Sequence, residues 1–182
     1  MKSRLTLMFL VFSFLAGCGN DAKKEYLMQI DQLESQLDSL HKVIFNSESD
    51  RNAEIIASVK KTLQTIKEGY HSDTIEFDLA KKLDSYKEIE TALSTNSGNL
   101  AKTKQAVLET QKSLGDLKHD IDNGVNNRSE YDGFIEFEKN KLSDITKLWD
   151  YYTETSNEYQ KRYDTLHSYV YDYSLSLEIE HE

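Results

Sequence analysis

The chain contains no proline, and only five of its seven glycines lie beyond residue 20. Without proline no backbone donor is lost and no helix is kinked. With glycine this scarce, long helices meet few breakers. Cysteine occurs once, at position 18, so Cys-x-x-Cys redox chemistry is excluded. The one long apolar run, Leu5 to Leu15, is eleven residues. As a helix it would reach about 16 Å, against roughly 30 Å for a bilayer core, so it is too short to span. Basic residues are also under-represented. Without Lys2 and Arg4, 20 basic residues face 32 acidic ones, a balance of −12. A surface of that sign opposes nonspecific binding to nucleic acid or to anionic lipid heads. Charged residues make up 30% of the chain, yet apolar positions recur regularly, which argues against disorder.

What the opening residues do contain has a definite order. Lys2 and Arg4 give a positive start, Leu5 to Leu15 an apolar segment, and Ala16 and Gly17 small residues before Cys18. The first three are the parts of a secretory signal. Leu15-Ala16-Gly17-Cys18 resembles the bacterial lipobox. The resemblance covers only the first eighteen or so residues, and it is specific because all four features come in sequence. It implies diacylglyceryl transfer to the Cys18 thiol, cleavage before Cys18 and acylation of the new amine. It divides the chain into a signal peptide over 1–17, a lipidated N-terminus and short tether over 18–21, and a helical domain over 22–182. Each buried methylene of such an anchor contributes about 0.8 kcal/mol, so two or three chains hold where one is marginal. With Cys18 lipidated, no thiol remains for a disulfide.

The rest reads as all-α. Neither glycine nor proline occurs from Asn20 to Glu68. Polar interruptions follow at Gly69-Tyr70-His71-Ser72-Asp73 and at Asn123-Gly124-Val125-Asn126-Asn127-Arg128. Both combine a C-terminal glycine with residues able to cap a following helix, Asp73 with Glu76 and Ser129 with Asp132. The spacing predicts three long helices over about 22–68, 74–122 and 130–174, joined as an elongated antiparallel up-down-up bundle. Leu79, Tyr86, Leu93, Leu100, Val107, Leu114 and Ile121 recur every seven residues in the second interval, as a coiled-coil seam requires. The third interval holds two such series. One is Tyr131, Ile145, Tyr152, Tyr159, Leu166 and Tyr173, broken at Glu138. The other is Ile135, Leu142, Trp149, Tyr163 and Val170, broken at Ser156. In the first interval, Ile30, Leu33, Leu37, Leu40 and Ile44 follow 3-4 spacing. Ile44, Ile55 and Ile66 then step by eleven, as a stutter would produce.

Polar patches at 46–50, 94–98 and 153–157 fall at the middle of each interval. They predict a polar waist with Ser47, Ser97 and Ser156 in the seam, where Leu at position 156 would add buried area. The alternative is three helix breaks, giving about six shorter helices in a compact bundle.

Candidate sites are few. Glu68-Gly69-Tyr70-His71 and Glu178-Ile179-Glu180-His181 have the Glu-x-x-His spacing from which helical bundles build dinuclear metal sites, here at helix ends. Eight of eleven tyrosines lie at or after Tyr131. Tyr151 and Tyr171 fit neither seam series, and exposed tyrosine suits a docking face. No GxSxG elbow, phosphate loop or dinucleotide fingerprint is present. The expectation is therefore no enzyme and no cofactor. The sequence points to a lipid-anchored protein of the bacterial cell envelope, a helical structural or partner-docking module. Gly19 rather than Asp follows the cysteine, which in lipoproteins favours the outer membrane. Its partners would be the membrane through the anchor, and an envelope protein or glycan, with no nucleic acid. A metal- or small-ligand-binding bundle is the alternative.

Overall fold

A computed structural model describes residues 18–47 and 49–179. The expected signal peptide, 1–17, lies outside the described residues. The described chain is all-helical, with no strand, and the helices pack together. They are α1, Cys18–Phe45, α2, Ser49–Gly69, α3, Phe77–Asn123, and α4, Arg128–Ile179. The first expected interval, 22–68, therefore holds two helices, one ending at Phe45 and one starting at Ser49. The second and third intervals each hold one helix, and these run through 94–98 and 153–157. Gly98 does not interrupt α3, and a Cβ there would meet open space.

The helix ends follow from local chemistry. Gly124 closes α3 with φ of 65°, the left-handed conformation that glycine adopts without a Cβ clash. Gly124 N–H then donates to Ile121 O at 3.3 Å, and Val125 N–H to Asp120 O at 3.0 Å. That pair is the Schellman pattern. The expected caps at Ser129 and Asp73 lie elsewhere. α4 already begins at Arg128, so Ser129 is inside it, and Glu130 N–H donates to Asn127 O at 2.9 Å. Ahead of α3, the Ser72 hydroxyl donates to Thr74 O at 3.0 Å and the Tyr70 hydroxyl donates to the same oxygen. This local turn holds 70–74 out of helix, and α3 starts at Phe77 with Ala80 N–H donating to Glu76 O.

The chain divides into two compact units. One takes α1 through Val43 with Gln105–Thr146. Its buried apolar residues include Ile30, Leu33 and Leu37 of α1, Val107, Leu114 and Ile121 of α3, and Tyr131, Ile135 and Ile145 of α4. Lys23 pairs with Asp122, and Lys118 with both Asp31 and Glu34 at 2.7 Å. Ser113 of α3 meets Glu138 of α4, and the Tyr131 hydroxyl reaches Asp120 O. Rising numbers on α1 and α4 thus meet falling numbers on α3, so α3 is antiparallel to both.

The other unit takes Ile44–Lys104 with α4 from Lys147. Ile55, Val59 and Ile66 of α2, Tyr86, Ile89 and Leu93 of α3, and Val170 and Leu177 of α4 form its core. The Tyr163 hydroxyl donates to Ser58 Oγ at 2.9 Å, and a Cβ on Gly69 would lie 3.0 Å from Leu177 Cβ. α2 and α4 therefore run parallel here. α3 runs opposite to α4, as Tyr86 meeting His167 and Asn96 meeting Ser156 show.

All seven residues of the predicted α3 seam are buried. A second series on the same helix, Ile89, Asn96, Thr103, Thr110 and Leu117, is buried as well. Both residues that break the α4 series, Glu138 and Ser156, also lie in the interior.

Candidate functional site

Cys18 opens α1, and its side chain lies outside the described part. Tyr151 and Tyr171 are 55% and 44% exposed on α4. Twenty residues separate them, about 30 Å along a helix and roughly 200° around it. The helix does not bring them onto one face. Tyr171 lies beside His167, ring centroids 5.5 Å apart.

The Glu-x-x-His residues fare similarly. α2 ends at Gly69, so Glu68 is helical and His71 is in the following segment. They do not share a helical turn. Glu68 instead accepts a hydrogen bond from Gln64 Nε2. The Glu178 side chain and His181 lie outside the described part. Among the described residues, no group of three or more His, Cys, Asp or Glu is arranged to hold a metal ion.

A buried polar network lies at 94–98 and 153–157 as expected, but its third member is Asn52 and not a residue of 46–50, and two of the three expected members differ. Ser97 turns outward and donates to Leu93 O of its own helix, and Ser47 donates to Ile44 O. Asn52, Asn96 and Ser156 occupy the interior instead. Ser156 Oγ accepts from Asn52 Nδ2 and from Asn96 Nδ2, both at 2.9 Å. Asn96 Nδ2 also donates to Tyr152 O at 2.9 Å, and Asn52 Nδ2 to the Tyr152 hydroxyl oxygen at 3.3 Å. Gln160 Nε2 donates to Asn52 Oδ1 at 2.8 Å. The backbone carbonyl of Tyr152 can only accept, which fixes the Asn96 amide orientation and leaves Asn96 Oδ1 buried without a partner. Such a network favours one register of α2, α3 and α4 at some cost in stability. The missed signal was the polar middle of the second α3 series, in which Asn96 stands seven residues after Ile89.

A second polar contact lies in the same unit. Tyr86 is fully buried, and its hydroxyl lies 2.6 Å from His167 Nδ1. Burial pushes the Tyr86 phenol up to about 12. Burial also lowers the His167 pKa, with Asp172 opposing. Both shifts favour a protonated phenol beside a neutral imidazole, joined by one hydrogen bond whose direction is set by the imidazole tautomer. The ring stacks on Tyr163 at 4.4 Å.

The other unit buries one carboxylate. Glu138 Oε1 accepts from Ser113 Oγ at 2.6 Å and from Lys141 Nζ at 2.9 Å, while Oε2 is buried without a partner. Lys141 supplies the opposite charge that an interior carboxylate requires.

An open groove of about 700 Å³ lies between the start of α3 and the later part of α4. Asp78, Lys81, Lys82 and Ser85 line one side, and Glu158, Lys161, Arg162, Thr165 and Leu166 the other. Among the described residues, no helix is long and apolar enough to cross a membrane. No protein-family model, curated protein or solved structure matches the chain.

Proposed function

We propose that the chain is a lipid-anchored protein of the bacterial cell envelope, held at the outer membrane through Cys18, whose helical body serves as a structural or partner-docking module. The observation that carries this reading is the ordered run of positive start, apolar segment and Leu15-Ala16-Gly17-Cys18. An acidic body supports a separate anchor, because a balance of −12 gives no attraction to anionic headgroups. The body itself would be an elongated up-down-up arrangement, α1 and α2 together forming the first arm. About 47 residues per arm at 1.5 Å each give a rod near 70 Å. A body of that form suits a spacer between the membrane and an envelope protein or glycan.

Metabolic palmitate labelling with membrane fractionation tests the anchor. The wild-type chain should carry label and sediment with the outer membrane. Cys18→Ser should be unlabelled and remain as uncleaved precursor. Unchanged labelling of Cys18→Ser would refute the reading. Small-angle scattering tests the arrangement, with a maximum dimension below about 50 Å favouring the compact six-helix alternative.

A further inference from the structure

We propose that the groove between the early part of α3 and residues 158–166 of α4 binds a small phosphate-bearing ligand. Four of its nine lining side chains are cationic, Lys81, Lys82, Lys161 and Arg162. They gather in a chain whose acidic residues outnumber its basic ones. Nothing in the packing requires this, because like charges on one surface repel and a solvated acidic protein has ample room to disperse them.

The state of each cation identifies the ligand chemistry. Arg162 is already engaged, with Nη1 2.8 Å from Glu88 and Nη2 2.6 Å from Glu158. Its planar fork, which matches carboxylate and phosphate alike, is therefore occupied and leaves the lysines as the donors of the groove. Lys82 Nζ sits 3.7 Å over the Tyr169 ring, which holds the ammonium in place, and it makes no ion pair among the described residues. Neither Lys81 nor Lys161 makes an ion pair among the described residues. The free donors are thus three ammonium groups with the Ser85 hydroxyl beside them. Ammonium groups are compact point charges with no planar preference, and they suit the tetrahedral oxygens of phosphate. The Thr165 hydroxyl is not among the donors, because it bonds Lys161 O in its own helix. Asp78 is the one lining carboxylate without an arginine partner, and it opposes an anion.

Titration calorimetry of the purified protein with inorganic pyrophosphate tests the proposal. Saturable one-to-one binding is expected, weakening as salt rises. The double variant Lys81→Gln with Lys161→Gln should bind about tenfold more weakly or worse. Lys24→Gln with Lys102→Gln changes net charge equally, outside the groove, and should bind as the wild type does. Asp78→Asn should bind more tightly. Absence of saturable binding would overturn the proposal. So would equal weakening in the two double variants, which would mean a diffuse charge effect, and so would citrate binding as tightly as pyrophosphate.

Discussion

Ser156 accepts two amide hydrogen bonds in the interior, so Leu at that position removes the acceptor on which Asn52 and Asn96 converge. Each amide keeps a contact to Tyr152, but a weaker set. Ser156→Leu should therefore destabilise the fold by about 1–3 kcal/mol, the lost bonds and overpacking outweighing the added apolar area. This reverses the expectation from sequence, where Ser156 was a seam position awaiting a larger side chain. Asn96→Leu gives the contrast. It removes the orphaned Oδ1 together with the donor, and should lie within about 1 kcal/mol of the wild type. Denaturant melts of the two variants decide between them, and equal losses would mean that the network is not organised around Ser156. The height of the waist was legible because three polar patches recur at matched positions. Its members were not, since a hydrogen-bonded Asn in a seam looks the same in sequence as an exposed one. His167 is a second residue-scale case. Burial lowers its pKa from the ordinary 6.5, so the unfolded chain takes up the proton more readily than the folded one. The stability it contributes is present above about pH 6.5 and is lost as pH falls through and below that value. The midpoint of thermal unfolding should fall between pH 7.5 and pH 5, and His167→Phe, which keeps a ring beside Tyr163, should reduce that fall. An undiminished pH dependence in His167→Phe would assign it to other groups.

At the scale of elements, two glycines should respond with opposite sign to the same substitution. Gly98 is inside α3 with open space around its missing Cβ, so Gly98→Ala should stabilise by about 0.5–1 kcal/mol. Gly124 also has open space but a φ of 65°, so Gly124→Ala should destabilise by about 1–2 kcal/mol through backbone strain alone. Thermal melts followed by circular dichroism read both, and stabilisation at Gly124 would contradict the helix-closing geometry. The elements were legible wherever one residue type dictates geometry. The unbroken seven-residue series from Leu79 to Ile121 marked the buried face of α3, and the glycine after Asn123 marked its end. Helix starts were less legible. Asp73 and Ser129 have capping chemistry, yet the turn around Thr74 and the earlier start at Arg128 leave neither in that role. In the first interval the steps of eleven from Ile44 to Ile55 to Ile66 kept apolar phase across 46–48, so periodicity alone gave no sign of two helices there. Glu138 broke its series on paper because a carboxylate reads as surface. Its interior place depends on Lys141 one turn later and on Ser113 from a different helix.

For the molecule as a whole, the acidic balance and the resemblance to a lipobox are two halves of the proposal. A body that headgroups do not attract would need an anchor to stay at a membrane, and the first eighteen residues have the order of features that the proposed anchor requires. Candidate sites were the least legible part. Motif spacing pointed to Glu68 with His71 and to Tyr151 with Tyr171. Helix α2 ends between the first pair, and about five and a half turns of α4 separate the second, on different faces of the helix. The cationic groove has no motif, because its lysines come from α3 and α4, some eighty positions apart. Anchoring at Cys18 is the claim on which the envelope reading depends. Mass spectrometry of the N-terminal peptide from protein extracted from cell membranes tests it directly. The account predicts a chain beginning at Cys18 and carrying a diacylglyceryl group with an acylated amine, whereas an unmodified Cys18 within a longer or differently cut N-terminus would contradict it.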